Sequence, residues 1–386
     1  VKDLLVTTHT PVLRSGQAMR TYGVARALAA GGDGLTLLYA RFGADEPDSA
    51  FKAIPGIELR AVVPSRGAGR ALAYATARRG GVPHDFARGI SRELGEESSR
   101  LAEQAGRGRV IADGPIAAGA LAGLARKRPV IYNAHNLESG FRHELESSGG
   151  RFRGDLRSFE RSLLARSAES WMVSAADVAA AHELCPVARL RYVPNVVDVA
   201  SIEPVSVEPG ARRATFVANF TYEPNRNGLD FLLEQVFPRV WAELPDARLQ
   251  LVGGGLEQAP TADPRVETLG FVEQLRDAYT RASCALVPLL QGGGSPLKFV
   301  EALAYGLPVV ATPRAAAGLR VSDGENCLIG DGALAFAQAV IRALRGDAEG
   351  LGERGRALAE ERYSIEALAE LLDPTAPSEQ ATPAGG

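Results

Sequence analysis

Residues 291–312 read QGGGSPLKFVEALAYGLPVVAT. The order is loop, helix, turn, strand. Gly292, Gly293 and Gly294 open the stretch, and three consecutive glycines let backbone come close to a ligand without side-chain hindrance. Ser295 is a favoured N-cap residue and Pro296 suits the first helical position, so the spacing predicts a helix from Pro296 to about Tyr305. Gly306 supplies the C-terminal stop, and Leu307-Pro308 leads into an apolar strand over Val309–Thr312. A glycine-rich loop feeding a helix N-terminus is an anion site, because amide N–H groups and the helix dipole point at the same spot. The predicted helix is apolar nearly all round, hence buried. Its two charges, Lys298 and Glu301, lie three apart on one face. Two readings of the pair stand: a solvated stripe, or a buried pair that needs a ligand.

Outward from this stretch, the chain alternates strand and helix patterns. Residues 2–7, Leu35–Ala40 and Ile57–Val63 read as strands, with a helix from about Ala18 to Ala30 after the first. Val110–Ala112, Pro129–Tyr132, Ala168–Val173 and Leu190–Pro194 continue the series, with helices over about 153–166 and 175–183. Such β-loop-α-β grammar predicts a parallel sheet with crossover helices. Residues 195–211 have no helical period and read as a linker. The grammar then restarts: Arg213–Ala218, the loop NFTYEPNRNG, a helix from Leu229 to about Trp241, and strands at Arg248–Val252, Val266–Leu269 and Ala285–Pro288. After the opening stretch come a short strand at Asn326–Ile329 and helices at about 333–345, 349–361 and 364–372. The tail from Asp373 is rich in Pro, Gly and Ser and is expected to be disordered.

With 386 residues there is room for two ordinary domains. The expected division is an N-terminal acceptor-binding domain over 1–195, a linker over 196–211, a C-terminal nucleotide-sugar-binding domain over 212–362, a helix over 363–373 and a tail over 374–386. Hydrophobic content of 46% and charge of 23% are those of a globular chain, and a net charge of −3 leaves no global nucleic-acid footprint. Cys185, Cys284 and Cys327 are odd in number and far apart, which suits a reducing cytoplasm. Five scattered histidines form no H-E-x-x-H metal pattern. The chain opens directly on a strand pattern and no apolar run reaches ~20 residues, so neither a signal peptide nor a membrane span is expected. Neither G-x-G-x-x-G after the first strand nor a Walker-type loop occurs.

Three other places carry polar groups worth following. Ser15-Gly16 lies at the first strand-to-helix turn, where a plain turn glycine competes with a ligand contact. NAHNLES follows the Pro129–Tyr132 strand, so His135, Asn136 and Glu138 crowd one strand tip, the end at which open α/β sheets place ligands. Residues 66–109 hold nine arginines against five acids, a local balance of +4. That run is either a solvated helix face or a weak, peripheral membrane-surface or acceptor-facing patch.

The 291–312 stretch resembles the donor-site signature of the GT-B glycosyltransferases of family 4, the retaining group 1 transferases. That signature has two glutamates separated by seven residues, an Ala/Gly-rich tail and a Pro-Val-Val strand. Glu301 matches the second glutamate, which in the family binds the nucleotide ribose. The first falls at Gly293 and is absent; Gly294 and Lys298 instead resemble a subgroup with G-x-x-x-K-x-x-E. The resemblance implies two Rossmann-like domains facing across a cleft, with the last helix crossing back to the first. It implies a metal-independent retaining hexosyltransferase that uses a nucleoside-diphosphate sugar, UDP- ahead of GDP-, and a sugar, lipid-linked or small-molecule acceptor. A cytoplasmic enzyme, or one peripheral at the inner membrane face, with no permanent cofactor, is expected. His135 would approach the donor sugar, with Asn136 and Glu138 behind it or on the acceptor side. Gly16 and Arg20 match a Gly-Gly-then-Arg pattern, from which Ser15 departs. The donor set implied is Gly16, Asn219, Arg226, Gly253, Phe271, Val272, Gly293, Gly294, Ser295, Pro296, Leu297, Lys298 and Glu301. Within it Arg226 would serve as a second cation and Phe271 and Val272 would read the base edge; Gly253 and Gly254 either underlie the diphosphate or make a turn. In the family the leaving phosphate itself takes the acceptor's proton, so no separate carboxylate base is required. An epimerase or hydrolase on the same scaffold, and a non-catalytic nucleotide-sugar-binding protein, are the competing readings.

Overall fold

The computed structural model describes residues 2–31, 34–141, 156–206, 210–256, 258–292 and 294–374. The expected donor residue Gly293, residues 153–155 of the helix expected near 153–166, residues 207–209 of the expected linker, and nearly all of the expected tail lie outside them. The chain divides into two compact units. The first runs to Pro194 and takes in the chain from Leu368, and the second is Asn195–Ala367.

The first unit is built on a parallel sheet of β1 (Asp3–Thr7), β2 (Leu35–Ala40), β3 (Ile57–Val62), β4 (Val110–Asp113), β5 (Ile131–Asn133), β6 (Glu169–Met172) and β7 (Leu190–Tyr192). Its order is β3-β2-β1-β4-β5-β6-β7. β1 and β2 are buried along their whole length, as parallel strands covered on both faces must be. β3, IELRAV, is half-buried and carries Glu58 and Arg60, as befits an edge.

The second unit repeats the plan with β8 (Arg213–Val217), β9 (Arg248–Val252), β10 (Val266–Gly270), β11 (Cys284–Val287), β12 (Val309–Ala311) and β13 (Leu328–Ile329), in the order β10-β9-β8-β11-β12-β13. Successive residues of β11 serve opposite faces. Cys284 and Leu286 join a core with Phe231, Phe237, Phe336 and Val340, while Ala285 and Val287 join one with Phe299, Val300 and Leu303. In each sheet the order reverses beside the first strand of the unit, at β1/β4 and at β8/β11, the topological switch points where such sheets hold ligands.

Two local expectations are corrected. The segment EPNRNG is not loop: a helix already begins at Glu223 and runs to Phe231, with Pro224 in its first turn. Proline is tolerated there. Gly228 marks close packing rather than a break, since a Cβ at this position would lie 2.8 Å from Pro288 O. The helix continues through a π turn at Leu232–Val236 into Phe237–Glu243. The second correction concerns the helix of the opening stretch, which spans Leu297–Ala304. Pro296, at ψ 112°, is its extended N-cap residue and not its first helical one, so Ser295 lies one position too early to cap it.

Candidate functional site

The β8/β11 switch point is flanked by two segments, 219–227 after β8 and residues 289–292 and 294–298 after β11. They are tied together along their length. Lys298 Nζ donates to Asn225 Oδ1 at 2.5 Å, and Asn225 Nδ2 in turn donates to Asn219 O at 2.7 Å. Asn227 Nδ2 donates to Gln291 Oε1 at 3.2 Å. Gly292 lies at φ +97° near Pro224 and the Tyr222 hydroxyl, and its carbonyl accepts from Arg314 Nε. The Ser295 carbonyl accepts from Asn195 Nδ2 at 2.8 Å.

This mouth has the properties of an anion site. No side chain caps the first turn of Leu297–Ala304. Ser295 is only 5% exposed, and its hydroxyl has no hydrogen-bond partner among the described residues. A buried hydroxyl without a partner costs free energy unless a ligand or water supplies one. Burial brings the Lys298 pKa down to about 7, against the opposing attraction of Glu301. Burial also raises the Glu301 carboxyl, with the Lys298 charge pulling the other way. An arriving anion would restore the charge that burial suppresses on Lys298. The Lys298 ammonium also sits 5.0 Å from the Phe216 ring centroid.

Other expected donor residues have plain positions. Arg226 is exposed, and its guanidinium donates to Phe220 O at 3.2 and 3.3 Å. Asn219 Oδ1 accepts from the Thr221 amide and hydroxyl, shaping the turn. Gly253 lies at φ +127°, and a Cβ there would come within 1.9 Å of Ala218 O, so backbone contact between strand ends dictates glycine. Gly254 O accepts from Phe220 N at 2.8 Å. Gly294, at φ +72°, sits under Gly318, where a Cβ would lie 2.0 Å from Gly294 O. Phe271, just past β10, is 81% exposed, and Val272 is half-buried.

In the first unit the β1/β4 switch point holds a buried polar cluster. His135, 7% exposed, meets Asp113 Oδ1 through Nε2 at 2.9 Å. Asn133 Nδ2 donates to the same oxygen at 2.7 Å, and Thr21 Oγ1 donates to Asp113 Oδ2 at 2.6 Å. Burial by itself raises the Asp113 carboxyl, yet His135, His9 and Thr21 together hold it well below the usual carboxylate range. His9, with Nδ1 3.1 Å from Thr7 Oγ1, has its pKa lowered by burial and by the nearby His135 charge, against the pull of Asp113. Gly114, at φ +85°, makes room for His135: a Cβ there would sit 3.1 Å from the ring.

Arg20 is a buried strut of this cluster, donating to Val193 O at 2.9 Å and Asn133 Oδ1 at 2.7 Å, with burial lowering its pKa to about 10. Ser15 caps the first helix, Gly16–Ala30, by accepting from Ala18 N at 3.2 Å, and Gly16 is exposed at its start. Asn136 is half-buried. Glu138 sits near Glu160 and Asp177; burial, then those two charges, raises its pKa to about 7.

Residues 211–346 match the family model described as "Glycosyl transferases group 1". The "Sucrose-phosphate synthase" of Thermosynechococcus elongatus has a similar structure, with TM-score 0.69 and 18% identity over 95% of this chain and 96% of that one. HepE of Anabaena, solved "in complex with UDP and glucose", gives TM-score 0.64 and 13% identity over 95% and 97%. The fold is GT-B.

The group 1 match falls on the GT-B unit that carries Lys298 and Glu301. A "Phosphatidyl-myo-inositol mannosyltransferase" of Mycobacterium leprae is 33% identical over 169 residues, 40% of this chain and 44% of that protein. The chain thus spans less than half the length of the curated relatives it matches. Among the described residues no helix is long and apolar enough to cross a membrane. Asn225, His9 and Asp113, central to the geometry, escape sequence reading; for Asp113 and His9 the one available signal is that each stands at or just past a strand end.

Proposed function

We propose that this chain transfers a hexosyl residue from a nucleoside-diphosphate sugar to an acceptor hydroxyl with retention of anomeric configuration. The observation that carries the reading is the β8/β11 switch point, where an uncapped helix start, a Ser295 hydroxyl without a partner among the described residues and the amine of Lys298 suit an anion. A diphosphate leaving group gains negative charge as the sugar departs, and amides plus an ammonium stabilise that charge better than they stabilise the ground state. Lys298 and the helix amides provide this without a metal, with Arg226 as the second cation. Glu301 takes the ribose hydroxyls, and Phe271 and Val272 take the base.

HepE's complex with UDP supports a uridine donor ahead of a guanosine one. In the step itself, the bond from the anomeric carbon to the phosphate oxygen breaks while the acceptor oxygen bonds from the same side. The acceptor's proton passes to the departing phosphate, so no carboxylate base is needed. His135, fixed by Asp113, supplies the polar contact to the sugar. The test incubates the chain with UDP- and GDP-sugars and a panel of hydroxyl acceptors, reads products by mass spectrometry, and assigns the anomer by NMR. A glycoside of retained configuration is expected. Nucleotide binding with no product, or free sugar alone, overturns the reading.

A further inference from the structure

A concavity lies in the first unit, and none of the residues of the His135 cluster lines it. It is a pocket of about 350 Å³ formed by the segments that follow β2 and β3 and by the first turn of the helix Ala68–Arg79. The two segments are locked together: Arg41 N donates to Val62 O at 2.8 Å, and the Arg41 side chain pairs with Glu46 at 2.6 Å. Ser65 donates through its amide and its hydroxyl to Glu93, so that carboxylate is consumed as an anchor.

Three of the nine arginines of 66–109 are ion-paired among the described residues. Arg92 and Arg100 pair with glutamates of their own helix, and Arg109 pairs with Asp3 at 2.7 Å. Arg92 and Arg100 are solvated pairs, and Arg109 is a part-buried one that also donates to Leu372 O. Arg66 and Arg70, which line the pocket, make no ion pair among the described residues. Arg70 lies 5.1 Å from the Phe42 ring centroid, and Phe42 and Val63 are 39% and 58% exposed. The helix between the two arginines starts at Gly67 without a side-chain cap. Two guanidiniums without a carboxylate partner therefore stand beside Phe42 and Val63, in a lining that also holds the Arg41–Glu46 pair, and Arg70 Nη2 donates to Arg88 O at 3.4 Å.

Guanidinium forks match phosphate oxygens, and an exposed ring beside them receives the carbon skeleton attached to that phosphate. We propose that this pocket binds a phosphate ester whose organic part carries an apolar or ring face. The ester is either a free small molecule or the headgroup of an anionic lipid. The site is separate from the nucleotide mouth and does not depend on the transferase reading.

The test uses the full chain and two probes. Calorimetry measures phenyl phosphate against phenol, and flotation measures phosphatidylglycerol vesicles against phosphatidylcholine vesicles. UDP affinity is measured in parallel. Binding of phenyl phosphate supports a soluble ester, and binding of only the anionic vesicles supports a lipid source. In either case Arg66→Gln/Arg70→Gln weakens that binding at least fivefold and Phe42→Ala at least twofold, with UDP affinity unchanged. The proposal is overturned if neither anionic probe binds, or if the double variant binds as the parent does.

Discussion

The Lys298 ammonium and the Asn225 side-chain carbonyl stand 2.5 Å apart, joining a helix that follows β11 to one that follows β8. The pair gives the lysine's proton a partner before any ligand arrives. A hydrogen bond to a charged group contributes about 1.5–3 kcal/mol. Asn225→Ala is therefore expected to weaken UDP binding roughly tenfold, and Lys298→Ala to abolish turnover while the melting curve stays cooperative. Titration calorimetry and a turnover assay check both. A Lys298→Ala enzyme with full activity would remove the phosphate role.

Because burial holds the Lys298 pKa near 7, the free protein carries this amine largely neutral at pH 8. A diphosphate restores its charge, so nucleotide binding between pH 7 and 9 is expected to take up a proton and to weaken as pH rises. Calorimetry in two buffers of different ionisation enthalpy measures that uptake, which Lys298→Gln should erase. The linkage to folding has a definite sign. The unfolded lysine keeps its proton to about pH 10 while the folded one releases it near 7, so this group's contribution to stability grows with pH across that window and is lost as pH falls through 7.

Asp113→Asn removes the charge that faces His135 and His9 in a buried cluster. Breaking such a pair costs about 3 kcal/mol, so a lower denaturation midpoint is expected, together with a lower kcat. UDP affinity, proposed to reside in the other unit, should not move. Gly114→Ala separates geometry from charge: it pushes on the ring of His135 and strains φ, and the same fall in kcat is expected with Asp113 intact. Unchanged kcat in both variants would relieve His135 of any part in catalysis.

Gly318→Ala places a methyl group 2.0 Å from the Gly294 carbonyl. Backbone cannot yield as a side chain can, so the glycine loop must shift. The expected result is a loss of about 1–3 kcal/mol in stability and UDP binding weakened more than in a control Gly123→Ala, where nothing lies within 4 Å of the new Cβ. Chemical denaturation and calorimetry read the two effects.

The buried strands and the Leu297–Ala304 helix could be read directly, because continuous apolar runs admit few other fates. Lys298 and Glu301 stood out as lone charges on that helix. The start at Glu223 was hidden since Pro224 and Gly228 look like breakers; only the contact with Pro288, sixty residues on, explains the glycine. Asn225, His9 and Asp113 were silent for the same reason. The main partners of Asn225 and Asp113, Lys298, Thr21, Asn133 and His135, come from distant parts of the chain that sheet order, not sequence spacing, brings together. Ser295 shows the opposite error, in which a good capping residue sits before a proline whose extended backbone takes over the position.

The π turn at Leu232–Val236 makes chain length a variable of chemistry. Its surplus residue lets Phe237 and Val240 stay in the core while Asn225 still meets Lys298. Excising one residue, such as Gln235, would heal the helix into regular α geometry, yet would swing everything before it by about 100° and 1.5 Å. The better-formed helix would then be the disabled one, with its asparagine turned away from the amine it steers.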